Sequence, residues 1–133
     1  MGLKTKKMNL EPCNSDGSRI CVMRDVRSYN RQLKPFQEKF KRPMYDFHLK
    51  NLAPSSELLS SYKRGIISWK DYIPIFKEEV LDTQSDLIRM LAFYALVNNI
   101  TFLCTEGTPD KCHRRLLAEE CKKYQPNLSL VIQ

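Results

Sequence analysis

The residues able to do chemistry are concentrated between Asn99 and Tyr124, in NITFLCTEGTPDKCHRRLLAEECKKY. Two thiols (Cys104 and Cys112), a carboxyl (Glu106), an imidazole (His113) and the guanidinium of Arg114 fall within eleven positions. A thiol close to a helix start and beside cationic side chains ionises more readily, because both stabilise the thiolate. Cys112 is therefore read as a candidate nucleophile, with Cys104 as a resolving thiol and Glu106 as a further acid or base. Adjacent residues of a helix diverge by about 100°, so His113 is expected to serve a group across the crevice and not Cys112 itself. The competing reading makes both cysteines small buried hydrophobes. By type, Cys104, Glu106, Cys112 and His113 are also acceptable zinc ligands. The seven-residue gap between the cysteines and the adjacent Cys-His pair match no compact structural zinc pattern, so no metal and no cofactor is assigned, although three ligands plus water remain open.

These groups need a frame. Ile100 to Cys104 is a short apolar, β-branched run; Glu106-Gly107-Thr108-Pro109 breaks it; Leu116, Leu117 and Cys121 resume at helical spacing. Thr108 fits a helix N-cap with Pro109 as the first helical residue, which puts Cys112 about one turn into the helix. The unpaired N–H groups of that first turn favour a thiolate or a bound anion. Upstream, Arg19 to Val26 reads as a strand covered on both faces, ending abruptly in Asp25 and Arg27. Charged groups at the carboxyl end of a buried strand lie where open α/β sheets hold ligands. If that strand is a parallel neighbour of the one at Ile100, then Asp25 and Arg27 reach the same rim. There the helix start, Arg114, Arg27 and Asp25 can hold an anion, or the three charged side chains can form a buried ion-pair network that only fixes the loop.

The remaining elements follow in order. Leu3 to Asn9 alternates weakly and reads as an edge strand bearing lysines, and Asn14 to Gly17 is a turn. Arg31 to Arg42 is a short helix with Phe36 and Phe40 on its inner stripe, and Met44 to Leu49 is a strand or extended connector containing His48, read as a hydrogen-bonding residue. Ser55 caps a helix that Gly65 ends. Ser68 and Asp71 form a capping box opening a helix through Val80, with Trp69, Tyr72, Ile73 and Phe76 inward and a kink or late restart at Pro74. Thr83 with Asp86 opens another, with Leu87, Leu91, Tyr94 and Asn98 on one face; Leu128 to Ile132 is a last strand. Two strands joined by a helix of this length are parallel.

At 133 residues and 42% apolar content the chain suits one domain spanning 1–133, an α/β fold with a small, mainly parallel sheet flanked by helices. No run is long and apolar enough for a membrane span and no secretory leader is recognised, so a cytoplasmic protein is expected; five scattered cysteines suit a reducing compartment. The net charge of +7 is uneven: residues 1–50 carry twelve Lys or Arg against five Asp or Glu, whereas 51–133 carry ten of each. This permits a basic face for an anionic small molecule or nucleic acid.

LKNLAPSSELLSSYKRG, SWKDYIPIFKEEV and TFLCTEGTPDKCHRRLLAEECKK together resemble the DUF488 family, from roughly Leu3 to Tyr124. The most specific part is the string of Cys104, Glu106, Pro109, Cys112, His113 and Arg114, and DGSRICVMRDVRS is similar to the family's early strand. Pro74 departs from the pattern. The resemblance implies a small cytoplasmic α/β domain with these residues gathered at one site, and it brings no reaction with it. Two functions stand. One is an enzyme for a phosphorylated or nucleic-acid-related substrate, with Cys112, Cys104, Glu106 and His113 reacting and Arg27, Arg114 and Asp25 binding. The other is a non-catalytic module that binds nucleic acid or nucleotide through the basic N-terminal half.

Overall fold

The computed structural model describes the whole chain except Gly107 and Thr108, with the side chain of Ser28 also outside the description. Five strands, β1 (Gly2–Lys7), β2 (Ser18–Cys21), β3 (Phe47–His48), β4 (Asn99–Cys104) and β5 (Leu130–Ile132), form one parallel sheet in the order β3-β2-β4-β1-β5. The helices are α1 (Arg27–Phe40), α2 (Ser56–Lys63), α3 (Trp69–Phe76), α4 (Ser85–Ala95) and α5 (His113–Tyr124). The α/β fold read from the sequence is therefore the observed one. Among the described residues no helix is long and apolar enough to cross a membrane.

Strand alternation assigns different partners to the two faces. Leu3, Ile20, Ile100 and Phe102 enter the main core with Tyr72, Phe76, Ile88, Leu117 and Cys121. On the other face Cys21 and Leu103 pack with Leu33 of α1, Val26, Met8 and Met44, and half-buried Phe36 and Phe40 close that cluster. This second face also holds charge. Lys6 and Arg19 converge on the buried carboxylate of Asp16, at 3.1 and 2.6 Å, and Lys4 approaches it at 3.4 Å.

That cluster corrects the reading of Leu3–Asn9 as an edge strand. β1 lies between β4 and β5, and its Lys4 and Lys6 oppose Asp16 instead of guarding an edge. The turn carrying Asp16 must lie almost against β4. A Cβ on Gly17, whose φ is +61°, would fall 1.8 Å from the Asn99 carbonyl oxygen, so only glycine fits.

Other boundaries move for local reasons. β2 stops at Cys21, the last residue paired with both β3 and β4; the Asp25 carboxylate then accepts the Arg27 N–H at 3.0 Å, and α1 starts four residues earlier than its apolar stripe indicated. Met44–Leu49 contributes only the two-residue β3. Pro74 does not end α3; the departure comes one turn later, as a π turn over Lys77–Leu81. Ile73 is 39% exposed while Tyr72 and Phe76 are buried. Thr83 gives its hydroxyl to the Glu79 carbonyl and caps nothing, and α4 buries Ile88, Leu91, Ala92 and Ala95, a face turned away from the expected Tyr94 and Asn98. α4 meets α5 through Ile88 with Cys121 and Arg89 with Tyr124, and the burial of small Ala92 and Ala95 is something apolar periodicity alone does not register.

Ser55 behaves as expected. Its hydroxyl accepts the Leu58 N–H at 3.1 Å and donates to Glu79 at 3.1 Å, tying α2 to the π turn. Ser55→Ala should cost about 1–2 kcal/mol in urea unfolding, the upper part of the usual cap range because two bonds go together.

Candidate functional site

All five strands end on the same rim, and register levels the critical pair: Cys21 of β2 lies opposite Leu103 of β4, so the segments after both strands emerge side by side. They form the floor and one wall of a cleft of about 1030 Å³. Cys104, Glu106 and His113 lie at its floor, Asp25, Arg27 and Tyr29 come from the β2–α1 junction, and α2 supplies the opposite wall with Ser56, Lys63 and Arg64.

The helix start differs from the expectation. The Thr108 cap lies outside the described residues, but Pro109 is not helical; α5 begins at His113, with Cys112 as an extended N-cap residue at φ −137°. This changes the geometry of the adjacent pair. Because Cys112 is not helical, the 100° divergence of a helix does not apply, and its Sγ faces His113 Nδ1 at 4.0 Å. Cys104 Sγ, Cys112 Sγ and a ring nitrogen of His113 all lie within 4.8 Å of one another, and all three residues are buried.

The imidazole is fixed on its far side. His113 Nε2 lies 2.7 Å from the Val22 carbonyl oxygen, which can only accept, so Nε2 carries a proton and Nδ1 is the ring nitrogen turned toward the Cys112 sulfur. Rings of Trp69, Tyr72 and Phe76 stack in succession, and Phe76 meets the imidazole at 5.8 Å between centroids, holding its plane. Apolar spacing located those aromatics in the sequence but could not show that they end on His113.

Arg114 is completely buried, and its position could not be inferred from the sequence. It donates to the Glu106 carbonyl at 2.9 Å, to the Gln133 carbonyl through Nη2 at 3.2 Å and to Cys112 Sγ at 3.6 Å. Among the described residues no side-chain carboxylate pairs with it, and its guanidinium lies against the Cys112 sulfur from behind the cleft floor. Asp25 and Arg27 lie 3.9 Å apart with side chains 59% and 92% exposed, so the three do not form a buried ion-pair network. His48 also lines the cleft, with its Nε2 at 2.7 Å from the Met23 carbonyl oxygen.

Two buried thiols this close do not both ionise, because the second charge would lie beside the first in a poorly solvated site. The facing Cys112 thiol, the His113 ring and the N–H groups of Glu106 and Thr105 hold Cys104 well below the ordinary cysteine value despite its burial. Next to that sulfur, and buried itself, Cys112 is pushed up. Cys104 lines the cleft and Cys112 lies behind it. Elsewhere burial is the main cause: Cys21 and Cys121 are each pushed up to about 12.

Neither curated proteins nor solved structures give a match to the chain. A family model does, and it covers the strand ends, the cleft walls and the sulfur–imidazole floor together. Matched over residues 3–125 by DUF488-N3a, described as the active DUF488-N3 subclade, this chain belongs to the DUF488 family.

Proposed function

We propose that this protein is an enzyme for an anionic substrate, phosphorylated or nucleic-acid-related, bound in the cleft with its reacting end on the floor. In this reading Cys104 is the sulfur nearest the substrate, Cys112 shares its proton from behind, and His113 and Glu106 move protons. Arg27 and its cationic neighbours hold the anion, Asp25 orders the start of α1, and Arg114 supports the sulfurs from within. The observation that carries the proposal is the make-up of the cleft. Arg24, Arg27, Lys50, Lys63 and Arg64 face two carboxylates, Asp25 and Glu106, and the basic wall leads down to Cys104 and His113. Such a field draws in anions and weakens with salt. The matched subclade's description as active also favours chemistry over binding alone.

A fluorescent single-stranded oligonucleotide and a nucleoside triphosphate serve as probes. Binding should weaken steeply with salt, and Lys63→Glu with Arg64→Glu should lower affinity and reduce the salt slope by about one per cation lost. Mass spectrometry should find an altered probe with wild type and none with Cys104→Ser. Salt-sensitive binding with no altered probe in wild type would leave the binding module, and the absence of binding to either probe at low salt would remove both readings.

A further inference from the structure

We propose that Cys104 Sγ, Cys112 Sγ and His113 Nδ1 form a three-donor site for a zinc-class divalent cation, its fourth coordination position open to the cleft. The donor set fits a thiophilic cation of borderline softness, and such three-donor sites with one open position are the catalytic kind. Bonds of about 2.3 Å to sulfur and 2.0–2.1 Å to nitrogen place tetrahedral donors roughly 3.6–3.8 Å apart. Here the three donor atoms lie within 4.8 Å of one another, with Cys112 Sγ and His113 Nδ1 at 4.0 Å, so a cation requires only a small inward movement.

Three further observations point the same way. The Val22 carbonyl takes the Nε2 proton of His113, the outer hydrogen bond that commonly orients a metal-binding imidazole, and so leaves Nδ1 as the donor. Arg114 donates to Cys112 Sγ at 3.6 Å, a bond that suits a ligating thiolate. The orientation of the opening follows from access: Cys104 and His113 line the cleft and Cys112 does not, so the uncoordinated side faces the cleft.

Charge is accounted for as well. Binding releases the remaining thiol protons to solvent, and two thiolates then neutralise the divalent cation, with the Arg114 guanidinium beside the Cys112 sulfur. The site stands independently of what the cleft binds. Without the cation Cys104 presents a free sulfur there, and with it both sulfurs become ligands.

The sequence spacing matches no compact structural site, and the donors come from a strand end and a helix start that only the fold brings together. Glu106, counted among the ligand types, is not in the gathered set.

The test is a cobalt titration of phosphine-reduced full-length protein carrying Cys13→Ser, which removes the exposed thiol. One equivalent should bind with a sulfur-to-cobalt charge-transfer band and intense tetrahedral visible bands, and zinc should displace it. Cys104→Ser and Cys112→Ser should each weaken binding beyond the ~10–100-fold that loss of an outer hydrogen-bond partner costs. Cys121→Ser should bind like the parent. Zinc should also protect Cys104 from iodoacetamide in the otherwise unmutated protein, a readout that needs no active-site variant. A parent titration with no charge-transfer band, or equal loss in Cys121→Ser and Cys104→Ser, would overturn the site whatever the oligonucleotide experiments show.

Discussion

Asp16→Ala is expected to destabilise the fold by roughly 3–5 kcal/mol in urea unfolding, among the largest effects of any single substitution outside the apolar core. The reason is what remains behind. Arg19 is fully buried and Lys6 nearly so, and both rely on one carboxylate, at 2.6 and 3.1 Å. Asp16 also accepts the Cys13 N–H and thiol, each at 3.1 Å. Removing it strands two cations in a poorly solvated interior, which costs far more than the pair contributes relative to an apolar replacement. Asp16→Asn keeps the shape and loses the charge, so it should recover only part of the loss.

The same carboxyl makes stability depend on acid. Burial alone raises its pKa, but the bonds from Cys13, Lys6 and Arg19 outweigh burial and hold it well below its ordinary value of 3.8. A carboxyl whose pKa is lower in the folded chain binds fewer protons there than in the unfolded chain. Its contribution is therefore complete above 3.8 and is lost as pH falls below that value toward the folded pKa. Asp16→Asn should lack this component of the acid transition, and an identical acid profile in wild type and variant would refute the assignment.

The second large effect concerns the thiols. In chelator-treated, reduced protein near neutral pH, iodoacetamide should label Cys104 at least ~100-fold faster than Cys21 or Cys121. Access favours Cys104, which lines the cleft, whereas Cys21 and Cys121 are wholly buried. Ionisation acts in the same direction, since burial pushes the two core thiols up to about 12. A low-pKa sulfur is a weaker nucleophile per thiolate, which narrows the gap without closing it. Peptide-resolved labelling gives the ratio. Equal rates for Cys104 and Cys121 would place the sulfur outside any cleft chemistry.

How much of this was legible beforehand varied with the range of the interaction involved. Ser55 and the Ser68–Asp71 capping box are local devices, and both appear as read. The Cys104-to-Cys112 segment at a strand's carboxyl end, sharing a rim with Asp25 and Arg27, followed from the parallel rule and is observed. The errors came where a distant partner decides the outcome. Lysines in β1 looked like edge protection because Asp16, ten residues away from Lys6, is invisible to strand periodicity. Residue type does not reveal depth either, and the complete burial of Arg114 was not legible. The inner face of α4 follows helical spacing through Tyr94 and Asn98 in the sequence, whereas the fold buries small Ala92 and Ala95 and leaves Tyr94 exposed.

The position of β1 also shapes how the chain can assemble. Its hydrogen-bonding edges are both satisfied by strands from the far end of the sequence, β4 at residues 99–104 and β5 at 130–132. A ribosome therefore releases β1 long before either neighbour exists, and the segment must wait, unpaired on two sides, through the synthesis of nearly all the helices. Pairings of such long sequence separation slow folding and prolong exposure to stray strands. During that wait Lys4 and Lys6 carry charge along one face of the unpaired ribbon, so the residues that finally face Asp16 in the finished sheet would first serve to keep nascent chains apart.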